Sequence, residues 1–352
     1  MLKATCEIPP APPGSLRDRD DRYYRLLAGG AKTRLLEGFL DLQLPELLGK
    51  RGEMTAREIC QSRALHPHRG WKFLHLLAMV GLLQESGGDH GRDDARFSLS
   101  EEAKEYFGAD GSEGYYFRDL LNFWRAVAVL PFVDVLRGLP LPAAVRWPPP
   151  GLVEAEHLET WMRVTAEGAI ANLLSSGALE GARRLLDVGG GDGTIGCALV
   201  KRYPDLAVTV FNLPASAFLA RRRINDLQCG DQVGVHEGDF LREELPGGYD
   251  RVLFSRVLTD WTPEVCQMLF EKSARALEPG GRLVINEALV DGNLDYALSW
   301  EFRYLFYDTF GRVLFKPLTV YRDLLCQAGF EIVKFTPMSA DAFYSVIEAE
   351  RR

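Results

Sequence analysis

The chain reads as an α/β protein: a doubly wound, seven-stranded sheet closed by an antiparallel terminal hairpin, preceded by a mainly helical, winged-helix-like domain. Three observations predict this. After residue 182 short β-rich runs alternate with helical runs, the grammar of parallel βαβ units. The glycine-rich "LLDVGGGDG", 185–193, falls where the first of those runs turns into a helix. Upstream, "LPLPAAVRWPPPG", 139–151, carries five prolines in thirteen residues, which no regular element accommodates. The expected organisation is a flexible arm over 1–18, a helical dimerisation domain over 19–150 and an α/β domain over 151–352.

The arm is Pro-rich and then charged. From Tyr23 the apolar residues Leu26, Leu27, Leu35, Leu36, Phe39 and Leu40 recur at helical spacing. Thr55 followed by Glu58 is a capping box that starts a short helix. "HPHRGWKFLHLLAMVGLLQES" predicts a second helix, and a Gly/Asp-rich turn then leads to the strand-like "FSLS". Helix, turn, helix and hairpin make a winged-helix order. In an acidic chain an apolar self-association face is the better reading of it than DNA binding.

In the second half a connecting helix runs to about Ala182. The expected strands are "RLLDVG", "AVTVF", "VGVHEGD", "DRVLFS" and "GRLVINEAL". "FEIVKF" and "FYSVIEAE" lie only a few turn-like residues apart and predict the antiparallel hairpin.

A formal charge of −8 and a pI near 5.4 argue against a nucleic-acid surface. Arg221 to Arg223 form the one obvious basic cluster, read as a solvated helix face or, alternatively, a phosphate contact. Six scattered cysteines without a C-x-x-C pair suggest reduced thiols in a cytoplasmic protein. The N-terminus lacks an apolar core of signal-peptide length, and the most apolar later run, "FLHLLAMVGLL", is too short to span a bilayer. The histidines are not clustered, so no metal site is expected.

The glycine turn brings backbone within reach of a ligand, and two ligand classes use such a turn: dinucleotides and S-adenosylmethionine. The dinucleotide pattern fails because Thr194 takes its last glycine position. Asp187, just before the turn, suits an ammonium group and repels a pyrophosphate.

Together with "FNLP" at 211–214, "GDF" at 238–240, "FSRVLTDW" at 254–261 and "LEPGGRLVINEAL" at 277–289, the glycine turn resembles the small-molecule O-methyltransferase family of plant caffeate-type enzymes and their bacterial natural-product relatives. The resemblance spans the whole chain. It implies a class I methyltransferase Rossmann-like domain, an N-terminal dimerisation domain and hence a homodimer, S-adenosylmethionine as cofactor, and a small aromatic substrate. It places Asp187, Gly189 and Gly191 at the methionine end of the cofactor and Asn212 and Leu213 at ribose and adenine edges. Asp239 and Phe240 would meet the adenine, and Ser255 and Arg256 would close the site. The family usually has Asp where Asn212 stands, so weaker cofactor binding is expected, with Asn212→Asp restoring affinity.

The family's general base is a histidine in H-D-W, and this chain has T-D-W. Thr259 cannot hold a proton at neutral pH. It is therefore either a satisfied polar residue or a substrate contact. Asp260 and Glu287 complete the catalytic candidates: Asp260 either orients the loop or acts as a base, and Glu287 corresponds to a family glutamate that holds the missing histidine. A second such glutamate is absent. Met162, Trp300, Tyr304 and Tyr307 are the expected substrate wall, with Phe123 or Trp124 facing them, unless the aromatic run is plain core. The expected function is methyl transfer to a phenol-type natural-product precursor, at oxygen or at a ring carbon beside a hydroxyl, by proximity rather than a base. The alternatives are a cofactor-retaining relative that hydroxylates, decarboxylates or cyclises, and a dimeric non-catalytic binding protein.

Overall fold

The computed structural model describes residues 16–87, 94–107, 112–139, 148–149, 151–292, 294–307, 314–338 and 343–352. Residues 1–15 of the expected arm lie outside that set, while its last three residues begin the first helix. The chain divides into two compact units, the first ending at Val129 and the second beginning at Leu130.

The first unit runs α1 (Leu16–Asp41), α2 (Leu44–Arg51), β1 (Met54–Thr55), α3 (Ala56–Ser62), α4 (Pro67–Met79), β2 (Leu83–Ser86), β3 (Arg96–Leu99), α5 (Glu101–Phe107) and α6 (Ser112–Ala128). The capping box forms: the Thr55 hydroxyl accepts from the Glu58 N–H, and Glu58 accepts from the Thr55 N–H. The segment read as one helix to Ser86 instead stops at Met79. Gly81, at φ 85°, turns the chain in the left-handed region that glycine tolerates. The rest of that segment becomes β2, which pairs antiparallel with β3, and β3 pairs with β1. Phe39, Ile59, Leu74, Leu77 and Phe97 are fully buried between helices and sheet.

The second unit contains α7 (Phe132–Leu136), α8 (Leu152–Val164), α9 (Ala166–Ser176), β4 (Arg184–Val188), α10 (Thr194–Arg202), β5 (Ala207–Asn212), α11 (Pro214–Asp226), β6 (Val233–Glu237), β7 (Tyr249–Ser255), α12 (Pro263–Ala276), β8 (Leu277–Glu287), α13 (Leu294–Tyr307), α14 (Leu318–Gln327), β9 (Phe330–Thr336) and β10 (Ser345–Arg351). The division precedes the proline-rich stretch because Phe132 already stacks on Phe302 and packs near Phe306 of α13.

The seven strands lie in the order β6-β5-β4-β7-β8-β10-β9. Strands β4 to β8 are parallel, and β10 runs antiparallel between β8 and β9. The central strands are apolar on both faces because helices cover both: Leu185, Leu186, Val252, Leu253, Val284 and Ile285 are fully buried. The order reverses at β4, and at that switch point the carboxyl ends of β4, β5 and β7 open a crevice, where ligands of open α/β sheets bind.

Candidate active site

Strand β4 delivers the buried Asp187 to this crevice, and the glycine turn follows before α10 begins. Gly189 and Gly191 have φ of 72° and 58°. Space is as restrictive as conformation: a Cβ on Gly190 would stand 2.4 Å from Asp187 Oδ2, and one on Gly191 2.6 Å from Glu159 Oε2. The loop is braced from β5. The Asn212 side-chain amide donates to the Gly191 carbonyl at 3.3 Å and accepts from the Leu213 N–H at 2.9 Å. Asn212 thus uses an amide donor that an aspartate lacks to brace the loop.

The electrostatics of the loop are unusual. Asp187 is fully buried, and neither carboxylate oxygen has a hydrogen-bond partner among the described residues. Burial pushes its pKa up to about 7, opposed by the charge of Arg256. Glu159, from α8, is also raised to about 7 by burial, although the Ser216 hydroxyl and the Asp192 backbone hold part of its charge. Asp192 is paired with Arg163 at 2.9 Å. Arg256 has φ 60° and donates to the Met162 carbonyl at 2.6 Å and the Thr165 hydroxyl at 2.9 Å, tying β7 to the end of α8. A buried acid without a partner, beside glycines whose Cβ positions are already taken, fits a ligand that brings N–H donors and positive charge. The ammonium end of S-adenosylmethionine has that chemistry.

Beyond β6, Asp239 Oδ1 accepts from the Leu241 N–H at 2.9 Å, shaping the turn that presents Phe240. Phe240 packs edge-on against Trp261, centroids 5.4 Å apart, and its carbonyl accepts from the buried Lys272 Nζ. Ser255 is tied down by the Asn286 amide at 3.0 Å.

Where β7 ends, a 3-10 turn carries Leu258, Thr259 and Asp260. Glu287, at the end of β8 and 1% exposed, accepts from the Val257 N–H at 2.6 Å, the Leu258 N–H at 2.7 Å and the Thr259 hydroxyl at 2.7 Å. Burial raises its pKa, and those three bonds work against the rise. Both oxygens accept from the turn, and the Thr259 hydroxyl is satisfied by this bond. Asp260 is half-buried at the end of the turn. Beneath the turn lies Lys316, which sequence reading passed over. It is 4% exposed and donates to the carbonyls of Leu258 at 2.8 Å, Leu314 at 3.0 Å and Thr259 at 3.4 Å.

Of the expected substrate wall, Trp300 meets Trp161 edge-on at 5.2 Å, and Arg303 lies over both rings. Met162, half-buried on α8, is the neighbour of Trp161. Tyr304 and Tyr307 belong to α13, but their side chains lie outside the described residues. Among the described residues no grouping of His, Cys, Asp and Glu could hold a metal ion, and no helix is long and apolar enough to cross a membrane.

Sheet order, glycine turn and unpartnered acid together define an S-adenosylmethionine-dependent methyltransferase. The chain belongs to the O-methyltransferase family: residues 155–331 match its O-methyltransferase domain. It is 30% identical over 286 residues to 3-hydroxy-5-methyl-1-naphthoate 3-O-methyltransferase of Streptomyces sahachiroi, covering 78% of this chain and 79% of the relative. With L-tyrosine C(3)-methyltransferase of Streptomyces lavendulae it shares 26% over 321 residues, 87% and 85% of the two chains. A shorter stretch of 112 residues, 32% of this chain and 30% of the relative, is 45% identical to aclacinomycin 10-hydroxylase of Streptomyces purpurascens. Among solved structures, the apo methyltransferase SibL superposes with a TM-score of 0.75 at 24% identity, over 93% of this chain and 97% of the other.

Proposed function

We propose that the enzyme methylates a small aromatic acceptor of the phenol type, at the hydroxyl oxygen or at the adjacent ring carbon, without a side-chain base. The carrying observation is the Thr259 hydroxyl, bonded to Glu287 at 2.7 Å in the position where the family's histidine is expected. The relatives named for a naphthoate 3-O-position and for C(3) of tyrosine support both acceptor atoms.

In this reading Asp187, Gly189 and Gly191 hold the methionine end of the cofactor and Asn212 and Leu213 the ribose and adenine edges. Asp239 and Phe240 hold the adenine, and Ser255 and Arg256 close the wall. Bound there, S-adenosylmethionine supplies a methyl carbon already activated by positive sulfur. The protein's own contribution is alignment and exclusion of water, and orientation alone is worth roughly 7–11 kcal/mol. Met162 and Trp300, with Trp161 set edge-on to Trp300, would wall the side on which an aromatic acceptor rests. Asp260, half-buried at the end of the turn, would orient an acceptor proton toward solvent.

Incubation with S-adenosylmethionine and phenols of graded acidity, followed by mass spectrometry, is the test. S-adenosylhomocysteine and methylated product appear if the reading holds, and bound cofactor without turnover across the panel overturns it. A second reading draws on the hydroxylase relative: acceptor changed while the cofactor stays intact would favour it.

The protein would act as a homodimer through its N-terminal unit. Tyr23, Tyr24, Leu26 and Leu27 of α1, 68–73% exposed, support this, and sedimentation would check it. Buried thiols at Cys197, Cys229 and Cys266 support a reducing, cytoplasmic location.

A further inference from the structure

Glu159 is a buried acid that alignment and water exclusion leave unused. It reaches the glycine loop from α8, its Oε2 lying where a Cβ on Gly191 would come within 2.6 Å. Its partners are the Ser216 hydroxyl on α11 and the Asp192 backbone. A neutral amide would satisfy the Ser216 hydroxyl and tie α8 to α11 equally well, so the carboxylate brings something an amide lacks, which is charge.

Asp187 faces the same loop, fully buried and unpartnered among the described residues. The charged groups around the loop are thus Glu159 and Arg163 from α8, Asp187 from β4, Asp192 from the loop itself and Arg256 from the end of β7. Arg163 is paired with Asp192, and Arg256 is engaged by the Met162 and Thr165 oxygens. Among the described residues, three buried carboxylates stand against two guanidiniums, leaving a surplus of negative charge.

We propose that Glu159 is a charge selector: with Asp187 it makes the glycine loop prefer S-adenosylmethionine, whose methionine end is net positive, over S-adenosylhomocysteine, whose methionine end is neutral. The inference rests on the cofactor placement proposed above. Its physical content is the sulfonium charge, which is the difference between the two molecules that a surplus carboxylate can sense. The product is therefore held less well than the donor at the moment it must leave. Burial lifts both acids to about 7. Protonation at lower pH removes the surplus, so selection is strong above that value and fades below it.

Calorimetric titration of the full chain with each of the two molecules, at pH 5.5 and pH 7.5, tests this. In the wild type the affinity ratio favouring S-adenosylmethionine should be about tenfold larger at pH 7.5 than at pH 5.5, the equivalent of one unit of coupled pKa. Glu159→Gln keeps the side chain's shape and should reduce that change to the part contributed by Asp187. Gly190→Ala, which drives a methyl into Asp187, should weaken both molecules alike. A wild-type ratio equal at the two pH values, or a Glu159→Gln ratio that still changes as the wild type's does, overturns charge selection while leaving the placement standing. Wild-type binding of both molecules by Gly190→Ala overturns the placement itself. The wild-type pH comparison needs no variant to fold.

Discussion

The Thr259 hydroxyl donates to Glu287 Oε2 across 2.7 Å, joining the turn after β7 to the end of β8. The same carboxylate receives the Val257 and Leu258 N–H groups through its other oxygen. Thr259→Val removes one of the three donors to a buried carboxyl group. The expected cost is about 1–3 kcal/mol, read as a lower urea midpoint with an unchanged slope.

Without a base on the turn, rate should follow the ionisation of the acceptor. For a phenol with pKa near 10, kcat/KM is expected to climb about tenfold per pH unit between pH 7 and pH 9. Phenols already ionised at neutral pH should show a flat profile there. Thr259→His would add a limb near pH 6.5 if Glu287 orients the ring. A wild-type profile carrying that limb with every acceptor would mean that another residue acts as a base.

Asp187 makes the resting enzyme less stable than it need be. Its folded pKa, raised to about 7, exceeds the ordinary value of 3.8, so the folded state prefers the protonated acid. The stability this gives is fully present below pH 3.8 and lost as pH rises toward 7. Asp187→Asn should therefore be more stable than wild type at pH 8, by about 4 kcal/mol, and no more stable at pH 3.5. Its affinity for S-adenosylmethionine should fall. Melting curves at the two pH values together with calorimetry would read both effects of this exchange of stability for function.

What the sequence made legible was local or periodic. Thr55 and Glu58 announce their capping box, Thr262 caps α12 by accepting from the Val265 N–H, and strand-length runs set the sheet. The glycine turn is equally plain, because its constraint lies within a few residues. Long-range partnerships were not legible. Glu159 and Gly191, or Lys316 and Leu258, meet only once the fold is closed, and neither spacing nor periodicity encodes them. The bond from the Asn212 amide to the Gly191 carbonyl is of the same kind. The division into units at Leu130, before the prolines, is another long-range matter: the stacking of Phe132 on Phe302 joins residues far apart in the chain.

Lys316 and Glu287 hold the turn from opposite sides, the ammonium taking carbonyls and the carboxylate taking N–H groups. Burial lowers the Lys316 pKa, while Cys266, Glu287, Asp260 and Glu301 favour its charge. Lys316→Met would leave the Leu258 and Leu314 carbonyls without this donor and remove the cation that offsets Glu287. The cost should be about 2–4 kcal/mol. Lys316→Arg should not rescue it, because the planar fork cannot reproduce three bonds made from one nitrogen. The glycine loop makes no bond to Lys316, so cofactor affinity should be preserved while kcat falls, as expected when the acceptor-side turn loses its anchor. Calorimetry beside steady-state kinetics separates the two, and an equal loss of cofactor binding would mean that Lys316 supports the crevice as a whole.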